Sequence, residues 1–226
     1  ALDMLAVVVY GAEDIENLTK TFEDALQAYD KALEIDPTNS KAWIAKGFGL
    51  DAMAPINHSK YNESLQAYDK AIELDPRNTG ALVGKSNVLT SLAARTKNNR
   101  LYEIAEEYID SALVIDPRDP WIWSAKGSLL ASQDKYEEAL NAYDKALELN
   151  PRDKSVWLVK GQILANNLSR YNESILAYDR FLQIDPKVAY VWKIKGDSLK
   201  TLGHSSEADA AYAKAEALGY RELNKK

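Results

Sequence analysis

The charged side chains are the residues here whose spacing suggests chemistry, and they fall into two columns. Aspartates stand at 30, 69, 110, 144 and 179, and lysines at 46, 85, 126, 160 and 195. Each lysine follows its aspartate by 16 residues, five times over. If each pair flanks a tight turn between two antiparallel helices, the partners lie at similar height and form an ion-pair ladder. The alternative is two independent columns facing solvent. Nitrogen–oxygen separations decide between them, and exposed pairs contribute only ~0–1 kcal/mol each. Catalytic chemistry is less well provided for. There is no cysteine, which removes disulfides, thiolate metal sites and a Cys nucleophile. His58 and His204 each lack a neighbour suited to a zinc site or a Ser-His-Asp triad. None of the ten glycines belongs to a Gly-rich phosphate loop. The expectation is a non-enzyme with no cofactor and no metal.

What positions these charges is a repeat. Ala25-Leu-Gln-Ala-Tyr29-Asp-Lys-Ala-Leu-Glu-Ile-Asp-Pro37 returns closely at 64–76, 139–151 and 174–186, and more weakly at 105–117 and 208–220. A second element alternates with it: Ala42-Trp43-Ile-Ala-Lys46-Gly47, with copies at 122–127, 156–161 and 191–196. Residues 81–86 are a degenerate copy, without the Trp and the Gly of the others. Trp43, Gly47 and Leu50 are spaced i, i+4, i+7, as are Trp123, Gly127 and Leu130, so both elements read as helices. Asp-Pro or Asn-Pro ends every copy of the first element but the last, which ends in Tyr220, because proline cannot continue the hydrogen-bond ladder. Each helix leaves an apolar stripe that only a stacked neighbour covers.

The prolines at 37, 76, 117, 151 and 186 give periods of 39, 41, 34 and 35 residues. A helical hairpin of this length, with Trp, Gly four later, then Ala, Tyr, Ala and Pro, closely resembles the tetratricopeptide repeat (TPR). The resemblance implies an all-α fold, a right-handed superhelical solenoid of about twelve antiparallel helices. It implies one array over 1–226, with units near 1–37, 38–76, 77–117, 118–151, 152–186 and 187–220 and a tail at 221–226. The extra residues of the longer units are expected in the turns around 55–57 and 95–100. The repeated aromatics, Trp43, Trp123, Trp157 and Trp192 and the columns headed by Tyr29 and Phe22, read as packing between hairpins. In most TPR sequences leucine occupies the slot that holds the lysines here. At the array's ends the slots are empty of charge, Val7 for lysine and Ala213 for aspartate, as pairing between neighbouring units requires.

In TPR proteins the first helices of successive units line a concave groove that receives peptides. By resemblance, the groove-facing positions lie two before and one, five and nine after each Trp position. They include Ile44, Phe48, Asn87, Trp121, Leu158, Gln162, Asn166 and Tyr190. Phe48, Trp121 and Tyr190 are aromatics that the packing pattern does not require, and the amides can hydrogen-bond an extended backbone. Trp121 also follows Pro120 and has the alternative of packing over a helix start. A Lys/Asn/Arg clamp of the kind that holds chaperone tails by their carboxylate is missing: Ile44, Phe48, Val83, Ser124, Leu158 and Val159 occupy that face. The groove suits a neutral or partly apolar segment.

The expected function is therefore a non-catalytic scaffold or adaptor binding a protein or peptide. The alternative is an architectural module that self-associates or spaces other domains. Lys and Arg total 28 against 34 Asp and Glu, a net −6 that disfavours nucleic acid. Residues 1–39 carry two lysines and nine acids, −7, while 187–226 carry eight bases and five acids, +3. That asymmetry suits weak head-to-tail self-association or solvated faces. Residues 1–10 are apolar but carry Asp3 and lack a basic start, short of the ~20 residues of a membrane span. The chain opens on Ala1, as a piece of a longer protein would, and reads as cytoplasmic with no membrane partner.

Overall fold

Helix, turn, helix is repeated along the chain because each Asp-Pro junction stops one helix and starts the next. The computed structural model describes the backbone of residues 2–55 and 57–221, and the side chains from residue 19 onward within them together with Asn17. Eleven helices occur among the described residues: Leu2–Ile35 (α1), Ser40–Met53 (α2), Lys60–Leu74 (α3), Thr79–Thr96 (α4), Asn99–Ile115 (α5), Pro120–Ser132 (α6), Tyr136–Leu149 (α7), Lys154–Asn166 (α8), Tyr171–Ile184 (α9), Ala189–Thr201 (α10) and Ser205–Ala217 (α11). The chain divides into two compact units, Ala1–Gln133 and Asp134–Lys226.

Two expectations need correction. Residues 1–37 were expected to fold as a hairpin, but α1 runs unbroken from Leu2 to Ile35, so the described residues hold eleven helices where about twelve were expected. No proline interrupts this stretch, and a lone Gly11 costs only ~1 kcal/mol in a helix interior. The Val7 slot lies outside the described side chains. The second correction concerns the insertion near 95–100. It lengthens α4 to 18 residues and α5 to 17, against 13 or 14 in the helices from α6 to α10. Leu92-Ala-Ala-Arg95 is a run of strong helix formers. The turn itself is short, with Lys97 in the left-handed region at φ 54°.

Each Asp-Pro turn is closed by side chains. Asp36, Asp75, Asp116, Asn150 and Asp185 each accept from the backbone N–H two residues on, at 3.0–3.4 Å. Asn39, Asn78, Asp119 and Asp153 then cap the following helix. The indole N–H groups of Trp43, Trp123, Trp157 and Trp192 donate to the carbonyls of Pro37, Pro117, Pro151 and Pro186, each at 2.9 Å. These tryptophans are half-buried, lying over the turn they staple.

In the first unit the core runs through Tyr68, Val83, Ile109, Ile122 and Leu129, all at most 2% exposed. In the second unit Tyr178, Phe181, Leu182 and Val191 pack with Trp157 and Trp192. Glycine sets the helix approach. A Cβ on Gly161 would sit 2.4 Å from the Tyr178 ring, and one on Gly196 2.6 Å from the Tyr212 ring. Tyr68 is held between two such glycines, Gly47 and Gly84, so the degenerate copy supplies its own close approach.

All five charged pairs form. Asp30–Lys46 is 2.6 Å, Asp110–Lys126 2.8 Å and Asp179–Lys195 2.5 Å, and Asp69–Lys85 and Asp144–Lys160 are also paired. Asp30–Lys46 joins α1 to α2, and each of the other four pairs joins the second helix of one hairpin to the first helix of the next. Lys46, Lys160 and Lys195 lie 5.4–5.6 Å from the ring centres of Trp43, Trp157 and Trp192, so the ladder lysines rest against the tryptophans of the turn staple. Lys85, with no tryptophan beside it, donates instead to the Tyr108 hydroxyl at 2.6 Å.

Candidate functional site

Helical spacing brings the first set of candidate residues together. Ile44, Phe48 and Asp51 lie at i, i+4, i+7 on α2, and Gly80, Gly84 and Asn87 follow the same spacing on α4. With Trp121 at the start of α6 they line one cleft of about 430 Å³ in the first unit. The missing side chains at Gly80 and Gly84 leave the cleft open to the phenol of Tyr68. Phe48 is 66% exposed and Trp121 47% exposed, whereas Trp123, two residues on, is half-buried over its turn. Trp121 follows the proline at the first turn of α6, and Asp119 accepts its backbone N–H at 2.8 Å. The helix cap therefore holds its backbone while its ring stays accessible.

The cleft contains a carboxylate that the groove pattern passes over. Asp51 is half-buried, and no described side chain donates to it or pairs with it. Burial pushes its carboxyl up from 3.8 to about 6. The Tyr68 phenol is also pushed up, by burial and then by the Asp51 charge. Lys41 lines the same cleft but sits ten residues away on α2, about 15 Å of helix rise. One sequence signal marks Asp51. Eight residues after each Trp position stand Asp51, Thr90, Ala131, Ala165 and Lys200, and Asp51 is the only acid.

In the second unit Gln162, Asn166 and Tyr190 line a cleft of about 370 Å³ with Ile194, Asp197 and Thr201. Tyr190 is 46% exposed, and the Gln162 amide donates to its hydroxyl at 3.4 Å. Leu158 lies outside this lining and packs half-buried against the Tyr178–Phe181 cluster. Asp197 has partners: Lys193 at 2.7 Å and the Tyr212 hydroxyl at 3.1 Å. The hydrogen bond from Lys193 to Asp197 holds that ammonium above the usual lysine range.

The histidines serve local structure. His58 Nδ1 lies 3.1 Å from the Ala54 carbonyl and its ring stacks on Tyr61, while His204 sits beside Glu207. Among the described residues no group of three or more His, Cys, Asp or Glu side chains could hold a metal ion. No helix among them is long and apolar enough to cross a membrane.

Family models described as tetratricopeptide repeat match residues 57–78 and 124–189. Over those two segments the chain carries tetratricopeptide repeats. No curated protein sequence matches it significantly. Solved TPR-fold structures resemble it at low identity. PilF of Pseudomonas aeruginosa superposes with a TM-score of 0.66 at 20% identity, covering 86% of this chain and 80% of PilF. MamA gives 0.60 at 20% identity over 71% of this chain and 90% of its own. YrrB, described as a TPR protein with an unusual peptide-binding site, gives 0.57 at 22% identity over 88% of this chain and 96% of its own. At these identities the likeness is one of fold, and the fold is all-α throughout the described residues.

Proposed function

We propose that this TPR protein is a non-catalytic interaction scaffold that holds a partner peptide segment against the first helices of its hairpins. The observation that carries this reading is the pair Phe48 and Trp121. Both rings line one cleft with about half or more of their surface exposed, and neither belongs to the packed clusters between helices. Exposed aromatics in a cleft are the usual anchors of protein interfaces, and Asn87 at the same cleft offers donors and an acceptor to a peptide backbone. Tyr190, Gln162 and Asn166 supply a second set of such groups. We place Leu158 in the supporting layer rather than at the surface of the site. The peptide-binding description of YrrB, a protein of similar fold, agrees with this reading. We take residues 1–220 as one array that displays these surfaces, with 221–226 as a tail.

The test is a pull-down with wild type and with Phe48→Ala, Trp121→Ala. The captured protein is identified, and its binding segment is resynthesised and titrated as a peptide. The reading expects the double variant to lose that peptide by at least ~tenfold, the scale of losing one interface hot spot. Undiminished binding by the double variant would contradict it.

A further inference from the structure

Most carboxylates along the inner and turn-facing sides of the hairpins are spoken for. The five ladder aspartates have lysines, and those of the turns hold backbone N–H groups. Asp197, in the cleft of the second unit, has Lys193 and Tyr212. Asp51 stands apart, half-buried in the first unit's cleft with no described donor. Buried carboxylates are ordinarily paired or hydrogen-bonded, since burial without a partner is costly. Its surroundings suit a cation. Trp121, Phe48 and Tyr29 line the same cleft, and aromatic faces attract ammonium and guanidinium groups. Helix α1, which supplies Tyr29, belongs to the most acidic stretch of the chain, −7 over residues 1–39.

We infer that the Asp51 cleft receives an arginine or lysine side chain of the bound segment, with an apolar neighbour of that residue seated on Ile44, Phe48 and Trp121. This rests on the peptide-scaffold reading and specifies the partner for it. Asp51 meets the cationic head, the aromatic rings flank its stem, and Asn87 pairs with the segment's backbone. Arginine fits best, because a planar guanidinium binds a carboxylate through two parallel hydrogen bonds and stacks on aromatic rings.

The inference carries a pH signature. The titratable groups that line the cleft with Asp51 are Tyr29 from α1, Lys41 further along its own helix and Tyr68 from α3; α4 and α6 contribute Gly80, Gly84, Asn87 and Trp121, none of which titrates. Asp51, pushed up to about 6, changes charge between pH 8 and 5.

Random peptides displayed on phage are selected on the full chain, as wild type, Asp51→Asn and Trp121→Ala. Selected sequences are then titrated as acetylated synthetic peptides, each with a twin carrying neutral citrulline for arginine. The inference expects wild-type sequences enriched in Arg or Lys beside an apolar residue. It expects affinity to fall roughly tenfold with citrulline or with Asp51→Asn, the scale of one charged hydrogen bond. Wild-type affinity should weaken from pH 8 to 5, and Asp51→Asn should remove most of that dependence. Peptides that need Trp121 but show no basic preference, or bind Asp51→Asn as tightly as wild type, overturn the inference and leave the scaffold reading standing. If no selected peptide depends on Trp121, both are overturned.

Discussion

At the scale of single residues, Asp51 and Gly161 make opposite demands on stability. Burial raises the Asp51 pKa from 3.8 to about 6, so the folded state is the one that resists ionisation. Above pH 6 the carboxylate is charged in both folded and unfolded chains, and folding bears the whole cost of burying it. Below about pH 4 it is neutral in both, and the cost is gone. Asp51→Asn should therefore stabilise the protein at pH 7–8, by up to about 3 kcal/mol for a shift of this size, with the gain shrinking towards zero at pH 4. Glu173 and Asp185, held below the usual carboxylate range by hydrogen bonds from Arg170 and Lys154, act in the opposite direction but are common to both proteins. Denaturant midpoints of the pair across pH check this, and a stability difference that does not vary with pH would refute it. Gly161 gives a prediction whose sign matters. Helix propensity alone says Gly161→Ala adds ~0.5–1 kcal/mol. The clash with Tyr178 at 2.4 Å says it destabilises by ~1–3 kcal/mol. A melting temperature above wild type would show that the ring moves aside freely.

At the scale of elements, the ladder shows what the sequence could and could not reveal. The constant 16-residue spacing was sufficient because each Asp-Pro or Asn-Pro junction fixes where the chain turns, so an aspartate seven residues before the proline meets a lysine nine after it across antiparallel helices. The lysines are 14–25% exposed and the aspartates 39–56%, which keeps each pair modest. A double-mutant cycle of Asp144→Asn and Lys160→Met should give a coupling of ~0.5–1 kcal/mol that falls as salt is added. Zero coupling would mean two independent columns that happen to touch. Other element-scale features left no such trace. The tryptophan staple was hidden because its acceptor is a backbone carbonyl, the same in any sequence. The insertion near 95–100 reads as a turn because its polar residues, Arg95 through Arg100, resemble one. The helix-forming run before them instead extends α4 to Thr96. The hairpin expected in residues 1–37 followed from the repeat, yet no residue there supplies the break that the later Asp-Pro junctions provide.

At the scale of the molecule, the repeat identified the fold, while the candidate site was legible only in part. The family pattern brought Ile44, Phe48, Asn87 and Trp121 to one cleft and Gln162, Asn166 and Tyr190 to another. It passed over Asp51, whose position one residue short of a groove-facing slot still turns it into the cleft. It also gave Leu158 to the surface, although neighbouring apolar side chains draw it into the packing around Tyr178. The central claim is a division of labour between tryptophans: those at the repeat position hold the hairpins, and Trp121 holds the partner. The most direct test measures peptide affinity and melting temperature on the same samples of wild type, Trp121→Ala and Trp123→Ala, using a peptide selected on the wild type. Trp121→Ala should lose binding by at least ~tenfold with its melting temperature nearly unchanged. Trp123→Ala should lose ~3 kcal/mol of stability, since it gives up half-buried packing and the hydrogen bond to Pro117. Binding that survives in Trp121→Ala, or equal thermal destabilisation of the two variants, would contradict the account.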